Sequence, residues 1–198
     1  HNPATMGTLN AAGKFQAAFF QSVTTRTAGF ASISQSGLTN GSKLLASMLM
    51  IIGGSPAGTA GGIKTTTVAV LLLTAISVLR GNKDTECYGR KITFEIIRVG
   101  ITITLVTFVF WLFGVTVMTV IEPQQKVLDL MFEATSAMAT VGLTADLTPV
   151  LSDISHVVLM LMMYIGRIGP MTMALIFSGH VDKKNQFRTL PEAKIMVG

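Results

Sequence analysis

Two segments of this sequence share a motif that could bind a cation without any charged side chain. Residues 18–30 align without gaps on residues 131–143, and each copy ends in Thr-x-Gly followed by an apolar residue. Glycine permits backbone conformations that turn successive carbonyls toward one axis, and such carbonyls can replace the hydration shell of a potassium ion. The pattern therefore predicts two quarters of an ion-selective pore on one chain. The candidate ligands are the main-chain carbonyls of Thr27, Ala28, Gly29, Thr140, Val141 and Gly142.

Taken alone, Thr-x-Gly is compatible with an ordinary turn, so its interpretation depends on the elements around it. Each copy follows a short apolar segment and precedes a long one. A short helix that enters the membrane and returns leaves non-helical backbone at membrane depth, which is tolerated only when it is buried in protein or lines water. The repeated context favours two filter loops, at residues 26–30 and 139–143.

Composition indicates a membrane protein. Hydrophobic residues make up 49% of the 198 residues and charged residues only 13%, whereas soluble domains carry about 25% charged residues. Basic residues are spread along the chain and aromatic residues are few, so no nucleic-acid partner is expected. The single cysteine excludes an internal disulfide, and no grouping of nucleophiles, bases or metal ligands suggests an enzyme, a catalytic residue or a bound metal other than potassium at the filter.

Four apolar segments predict the membrane helices. Residues 99–120 form a run of 22, which as a helix would measure ~33 Å and cross a hydrocarbon core of ~30 Å. Residues 154–177 form a run of similar length. The runs 44–52 and 68–79 are each too short to span, so we predict one long helix that is broken by the glycine-rich segment between them.

The distribution of charge predicts which side of the membrane each connection faces. The connection 80–98 and the tail from residue 180 hold nine basic and five acidic residues, whereas the opposite side holds three basic and five acidic residues. Lys and Arg concentrate on the cytoplasmic side, so both filters are expected to open outward. Arg26, directly before the first filter threonine, either braces the filter by donating to nearby carbonyls or to Glu133, or is solvated at the outer rim.

The predicted fold is an all-α membrane protein made of repeated units of outer helix, pore loop and inner helix, as in a K+-channel-like pore. About one and a half to two of four units are expected here: residues 1–90 without most of the outer helix, residues 91–180 complete, and a cytoplasmic tail at 181–198. The expected elements of the first unit are a pore helix at 14–25, the filter at 26–30, a broken inner helix at 42–79 and a cytoplasmic loop at 80–90. Those of the second are an outer helix at 91–121, a pore helix at 126–137, the filter at 139–143 and an inner helix at 152–177.

The break in the first inner helix is a candidate gate. Its small residues would let the loop move beneath the filter, and Lys64 would repel potassium in a closed position. A glycine-kinked helix without a gating role is the alternative. A phosphate-binding P-loop is excluded because Ile63 precedes the lysine where that motif requires glycine. The candidate gate residues are Gly58, Ala60, Gly61, Gly62 and Lys64.

Arg167 is the second candidate charge in the pore. It lies within the apolar run 154–177, where a charge at mid-membrane costs at least ~2.5–3.5 kcal/mol and should face the pore or a partner. One interpretation is a positive charge below the filter that limits ion flow. The other is an arginine tied to a carboxylate or to helix-end carbonyls between units.

These motifs together resemble the Trk/Ktr/HKT superfamily of potassium transporters. The two Thr-x-Gly segments look like the third and fourth filters of that family, and residues 53–65 resemble its intramembrane gating loop. Residues 164–170 look like its fourth inner helix, and the ending 191–198 is similar to that of the membrane subunits of bacterial Ktr systems. The resemblance covers nearly the whole chain, but the family carries four pore units, so this chain is expected to be the C-terminal half of a longer protein.

The resemblance implies potassium uptake through a gated, channel-like pore in a bacterial cell membrane, by a multi-pass protein. It also implies a homodimer in contact with membrane lipid, a cytoplasmic ring of nucleotide-binding regulatory subunits, no covalent cofactor, and sodium as a candidate activator. Two other functions stay open. One is a secondary transporter of sodium or potassium that uses the broken helix as its site, and the other is a non-conducting fragment of a transporter.

Overall fold

The computed structural model describes residues 5–7, 9–56, 60–82 and 84–169, and the fold within these residues is mostly helical. Two short strands form an antiparallel hairpin, and one 3-10 turn follows the fifth helix. The helices are α1 (Ala11–Thr24), α2 (Asn40–Ile51), α3 (Thr65–Leu79), α4 (Phe94–Ile121), α5 (Val127–Met138) and α6 (Asp153–Ile168), the strands are β1 (Glu86–Cys87) and β2 (Arg90–Lys91), and the 3-10 turn is Thr148–Val150.

Side-chain hydrogen bonds cap the N-termini of three helices and so fix the residues at which these helices begin. The side chain of Asn10 accepts a hydrogen bond from the N–H of Gly13, and Thr39 and Ser152 cap α2 and α6 in the same way. Such caps satisfy N–H groups that have no partner within the helix. As a result α1 begins at residue 11 rather than 14, and α2 begins at residue 40 rather than 42.

Helix α4 is the one described helix that is long and apolar enough to cross a membrane. It has 28 residues, or ~42 Å at the rise of an α-helix. The predicted start at residue 91 is wrong, because Lys91 pairs with Glu86 in the hairpin β1–β2 and the helix begins at Phe94. The hairpin turns through Tyr88 and Gly89, which both have positive φ, as two-residue hairpin turns require.

Helix α5 lies at the centre of the described fold and packs against α2, α4 and α6. Every residue from 132 to 138 is buried. A Cβ atom on Gly166 of α6 would collide with the carbonyl oxygen of Met138 at the end of α5, so the two helices approach as closely as backbones allow. This contact sets the position of α6 directly beside the start of the second Thr-x-Gly segment.

Two carboxylates connect the ends of helices that are far apart in the sequence. The Lys43 ammonium of α2 forms an ion pair of 2.6 Å with Asp129 of α5. At the end of α4, Glu122 accepts hydrogen bonds of 2.8 Å from the N–H of Ser152 and the hydroxyl of Ser155, at the start of α6. The hydrogen bond from the Ser152 backbone, with those from the two serine hydroxyls, lowers the pKa of Glu122.

The helix α6 is shorter than predicted. It ends at Ile168, and Gly169 follows it with φ +87°, whereas the sequence pattern predicted a helix as far as residue 177. The next residue in the sequence is Pro170, which disfavours helical conformation in the residue before it. Arg167 therefore lies in the last turn of a helix rather than near the middle of one. Residues 170–198, including the predicted tail, lie outside the described residues.

Candidate functional site

The two Thr-x-Gly segments meet in the structure. A Cβ atom on Gly29 would collide with the carbonyl oxygen of Val141, and one on Gly142 would lie 3.9 Å from the Cα of Gly29. Residues separated by more than a hundred positions thus place their backbones in direct contact. The approach requires glycine at position 29, and it brings the two Thr-x-Gly segments to one place.

Both copies have the same unusual backbone conformation. Thr27 and Gly29 have φ values of +64° and +76°, and the aligned Thr140 and Gly142 have +54° and +92°. The residue between each pair, Ala28 or Val141, does not have a positive φ. A positive φ is rare for a β-branched residue and is found mainly where function demands it. The two copies therefore share the same alternation of backbone handedness over three residues.

The N–H groups of the second copy point back toward its preceding helix. The N–H of Val141 donates to the carbonyl of Ser136 at 2.9 Å, and the N–H of Gly142 donates to the Ser136 hydroxyl at 3.2 Å. In the first copy, the N–H groups of Ala28 and Gly29 both donate to the carbonyl of Thr24. None of the carbonyls of residues 27–29 and 140–142 accepts a hydrogen bond from the part of the chain that the structure describes.

A side-chain oxygen joins this set of free acceptors. Within the described residues, the Thr140 hydroxyl is the one buried side-chain polar atom that has no hydrogen-bond partner. A buried hydroxyl without a partner costs free energy. Its position beside the free carbonyls fits a site in which a cation without its hydration shell completes the coordination.

The described part of the loop between α2 and α3 lies directly against the second Thr-x-Gly segment. A Cβ atom on Gly61 would collide with the Thr140 hydroxyl, and one on Gly62 would lie 3.6 Å from the Cβ of Ala139. The described ends of the loop are held together by hydrogen bonds from Gly53 N–H to the Ile63 carbonyl (2.8 Å) and from Ile63 N–H to the Ile51 carbonyl (3.0 Å). The loop therefore closes one side of the site.

The remaining candidate gate and pore residues take different positions. The Lys64 ammonium donates to the carbonyl of Ala60 within the loop. Gly58 lies outside the described residues. Arg167 is exposed on this chain, in the last turn of α6 and next to Gly166. A cation at the C-terminus of a helix interacts favourably with the helix dipole, which the prediction of a mid-helix arginine did not include.

Glu133 has partners other than those predicted. Its carboxylate accepts hydrogen bonds from Thr144 and Thr148 hydroxyls and from the N–H of Ala145, all within its own unit. Arg26, which was one expected donor, is exposed on this chain. The signal available in the sequence was a carboxylate inside a short apolar helix, followed within fifteen residues by four threonines, of which Thr144 and Thr148 are the partners.

Comparison with known proteins identifies the family. Residues 2–188 match the TrkH family, described as cation transport proteins. The chain is 37% identical, over its full length, to 43% of Ktr system potassium uptake protein B of Bacillus subtilis (strain 168). It is also 37% identical over 90% of its length to 39% of the same-named protein of Vibrio alginolyticus, and 37% identical over 91% to 41% of the potassium/sodium uptake protein NtpJ of Enterococcus hirae. It thus spans about two-fifths of the length of these relatives. The chain belongs to the TrkH family of cation transport proteins.

Proposed function

We propose that the protein containing this chain takes up potassium across the membrane through a gated, channel-like pore. The observation that carries the proposal is the meeting of two glycine-centred loops whose carbonyls are free of hydrogen bonds. The close approach of Gly29 to the Val141 carbonyl oxygen supports the proposal, because it brings the two loops into contact. The relatives named as potassium uptake proteins support the same ion.

In this proposal the backbone oxygens replace water around the ion. The carbonyls of Thr27, Ala28 and Gly29, and those of Thr140, Val141 and Gly142, are the proposed ligands, and the Thr140 hydroxyl adds one on the side of the gate loop. Potassium can exchange its hydration shell for such dipoles at little net cost, so it passes without any chemical step. The driving force is the ion gradient and the membrane potential, worth ~2.3 kcal/mol per charge per 100 mV.

The loop from residue 53 to 65 is the proposed gate. Gly61 and Gly62 pack against Ala139 and Thr140, so an ion that leaves this side of the filter meets the loop. The positive charges of Lys64 and Arg167 would oppose cation passage whenever they face the axis. Movement of the loop away from the filter is then the opening step.

The proposed assembly needs more than this chain. Two further pore units from the rest of the protein would complete the ring of carbonyls. The protein would be a multi-pass homodimer in a bacterial cell membrane, and the basic connection 80–98 would face a cytoplasmic regulatory ring that binds nucleotides. The name "Ktr system" in two relatives supports a system of several components.

A second candidate is a transporter of both sodium and potassium, because one relative is named a potassium/sodium uptake protein. In that case the helix break between α2 and α3 would be the ion site. Proteoliposomes that hold the full-length protein separate the two functions. A filter pore takes up potassium far faster than sodium, whereas the second candidate takes up both at comparable rates, and a non-conducting fragment takes up neither.

Replacing Thr140 by Val tests the proposed site directly. The change keeps the shape and removes a hydroxyl that has no protein partner, so the stability of the protein should not fall. Potassium should bind more weakly by roughly tenfold, as expected for the loss of one ligand worth about 1.4 kcal/mol. Thr119→Val is the control, since the Thr119 hydroxyl donates to the Val115 carbonyl within α4. Unchanged potassium affinity in Thr140→Val would contradict the site.

A further inference from the structure

Glu133 is a buried carboxylate in the middle of the second pore helix. Its residue is 4% exposed, yet no basic side chain pairs with it among the described residues. Instead Oε1 accepts from the Thr144 hydroxyl (2.5 Å) and the Ala145 N–H (2.9 Å), and Oε2 accepts from the Thr148 hydroxyl (3.0 Å). A buried charge is expensive unless it is fully hydrogen-bonded, so these bonds are the reason that it is tolerated.

The partners of Glu133 all lie in the segment that leaves the second filter. Ser136, one helical turn further along α5, holds the N–H groups of Val141 and Gly142. Residues three apart on a helix share one face, so Glu133 and Ser136 present a continuous row of acceptors to residues 141–148. The N–H side of the filter is thereby tied to α5, and its carbonyl side is left free.

The first filter is tied differently. In that copy Gln21 of α1 and Gln35 exchange two side-chain hydrogen bonds of 2.6 and 3.1 Å. Gln35 is 2% exposed, so the first copy has a buried pair of neutral amides where the second has the buried carboxylate of Glu133. Hydrogen bonds to a charged acceptor are stronger than neutral ones. The second loop is therefore held by a charged acceptor, whereas the first is held by neutral groups, including the Thr24 hydroxyl that donates to the Phe30 carbonyl.

We propose that Glu133 is a positioning residue for ion selectivity: its carboxylate anchors residues 144–148 and thereby holds the carbonyls of Thr140–Gly142 at the spacing that suits potassium. The inference rests on the proposed function of this filter. Glu133 itself does not touch the ion. Without its bonds the exit segment of the filter moves, the oxygens spread, and sodium is rejected less well.

Two substitutions separate the hydrogen bonds from the charge. In Glu133→Gln the amide oxygen still accepts from Thr144 and Ala145, and the amide nitrogen donates to the Thr148 hydroxyl, so we expect the potassium-over-sodium uptake ratio to stay within about twofold of wild type. In Glu133→Ala all three bonds are lost, and we expect the ratio to fall roughly tenfold. The measurement is uptake of each ion by the full-length protein in proteoliposomes.

Asp146→Asn is the matched control. Asp146 lies in the same exit segment, but it is exposed and accepts from the Ser36 hydroxyl of the other copy. Its substitution should leave the ratio unchanged. If Glu133→Ala does not assemble, the double variant Thr144→Val with Thr148→Val tests the inference instead. It keeps the carboxylate and its bond to Ala145 but removes both hydroxyls, so the potassium-over-sodium ratio should again fall.

A wild-type ratio in an assembled Glu133→Ala protein, or in the double variant, would overturn the inference. So would a tenfold loss in Glu133→Gln, because the charge rather than the hydrogen bonds would then set selectivity. Wild-type protein that takes up no potassium, or that does not prefer it, would instead refute the proposed function. The two failures are therefore distinct.

Discussion

Each filter copy depends on one threonine and one glycine that share a left-handed backbone conformation. A threonine in this region is strained, and a glycine is not. The strain at Thr27 and Thr140 persists because the neighbouring N–H groups are bonded to Thr24 and Ser136. At the residue scale, therefore, hydrogen bonds from the adjacent N–H groups hold the strained threonines in this conformation.

Gly29→Ala should abolish potassium preference. The added Cβ would both occupy a positive-φ position and collide with the carbonyl oxygen of Val141, and the conformation alone costs about 1 kcal/mol or more. Gly41→Ala is the control, because a Cβ at Gly41 meets nothing within 4 Å and lies in α2. Ion uptake by proteoliposomes and a thermal melt in detergent measure the two effects. Selective uptake by Gly29→Ala would show that the loops do not form the filter.

At the element scale, α5 joins the two units. Its buried face packs on α2 from the first unit and on α4 and α6 from its own. The ion pair between Lys43 and Asp129 fixes the register of α5 against α2, at the end opposite to the filter. The broken inner helix then reaches the filter through the loop that contains Gly61.

Breaking the buried pair should cost far more than breaking an exposed one of the same length. Asp129→Asn leaves the Lys43 ammonium, whose side chain is 7% exposed, without its partner, and we expect a loss of about 3 kcal/mol in the free energy of unfolding. The pair Lys91–Asp84 is also 2.6 Å long, but its side chains are 62% and 47% exposed, so Asp84→Asn should cost less than about 1 kcal/mol. Denaturant titration in detergent provides both values. Equal losses would show that burial does not strengthen the first pair.

At the scale of the whole molecule, sidedness follows from charge. The basic connection that carries the hairpin β1–β2 lies between α3 and α4, and in the proposed topology both filters lie near the opposite membrane surface. The negative connections, with Glu122 and Asp146, lie on the filter side. This separation is the pattern that directs insertion with the basic side in the cytoplasm.

Labelling of Cys87 tests this orientation. Cys87 is the single cysteine of the chain and is partly exposed in β1. In full-length protein with no other cysteine, a membrane-impermeant maleimide should modify it in inside-out vesicles and not in intact cells. Ser32→Cys in a Cys87→Ser background is the control with the opposite expectation, since Ser32 is exposed just after the first filter. Labelling of Cys87 from outside would invert the proposed topology.

Local features could be predicted from the sequence: the residue types with permissive backbone dihedrals, the break in the first inner helix and the distribution of charge. These follow from short-range sterics and from hydropathy, so the pattern predicted helices near 14–25, 126–137 and 91–121 to within three residues of those observed. The pattern did not predict the end of α6 at Ile168, before Gly169, and its predicted end at residue 177 lies outside the described residues.

Contacts between residues that are far apart in the sequence could be read only from the tertiary structure. The contact of Gly29 with Val141, the position of Gly61 against Thr140, and the pairing of Glu133 with its own exit segment rather than with Arg26 all join parts of the chain whose distance depends on packing. The sequence offers several candidate donors for a buried carboxylate, and local propensities do not indicate which of them forms the hydrogen bond. The tertiary fold determines this, because only donors that packing brings within hydrogen-bond distance can stabilise a buried charge.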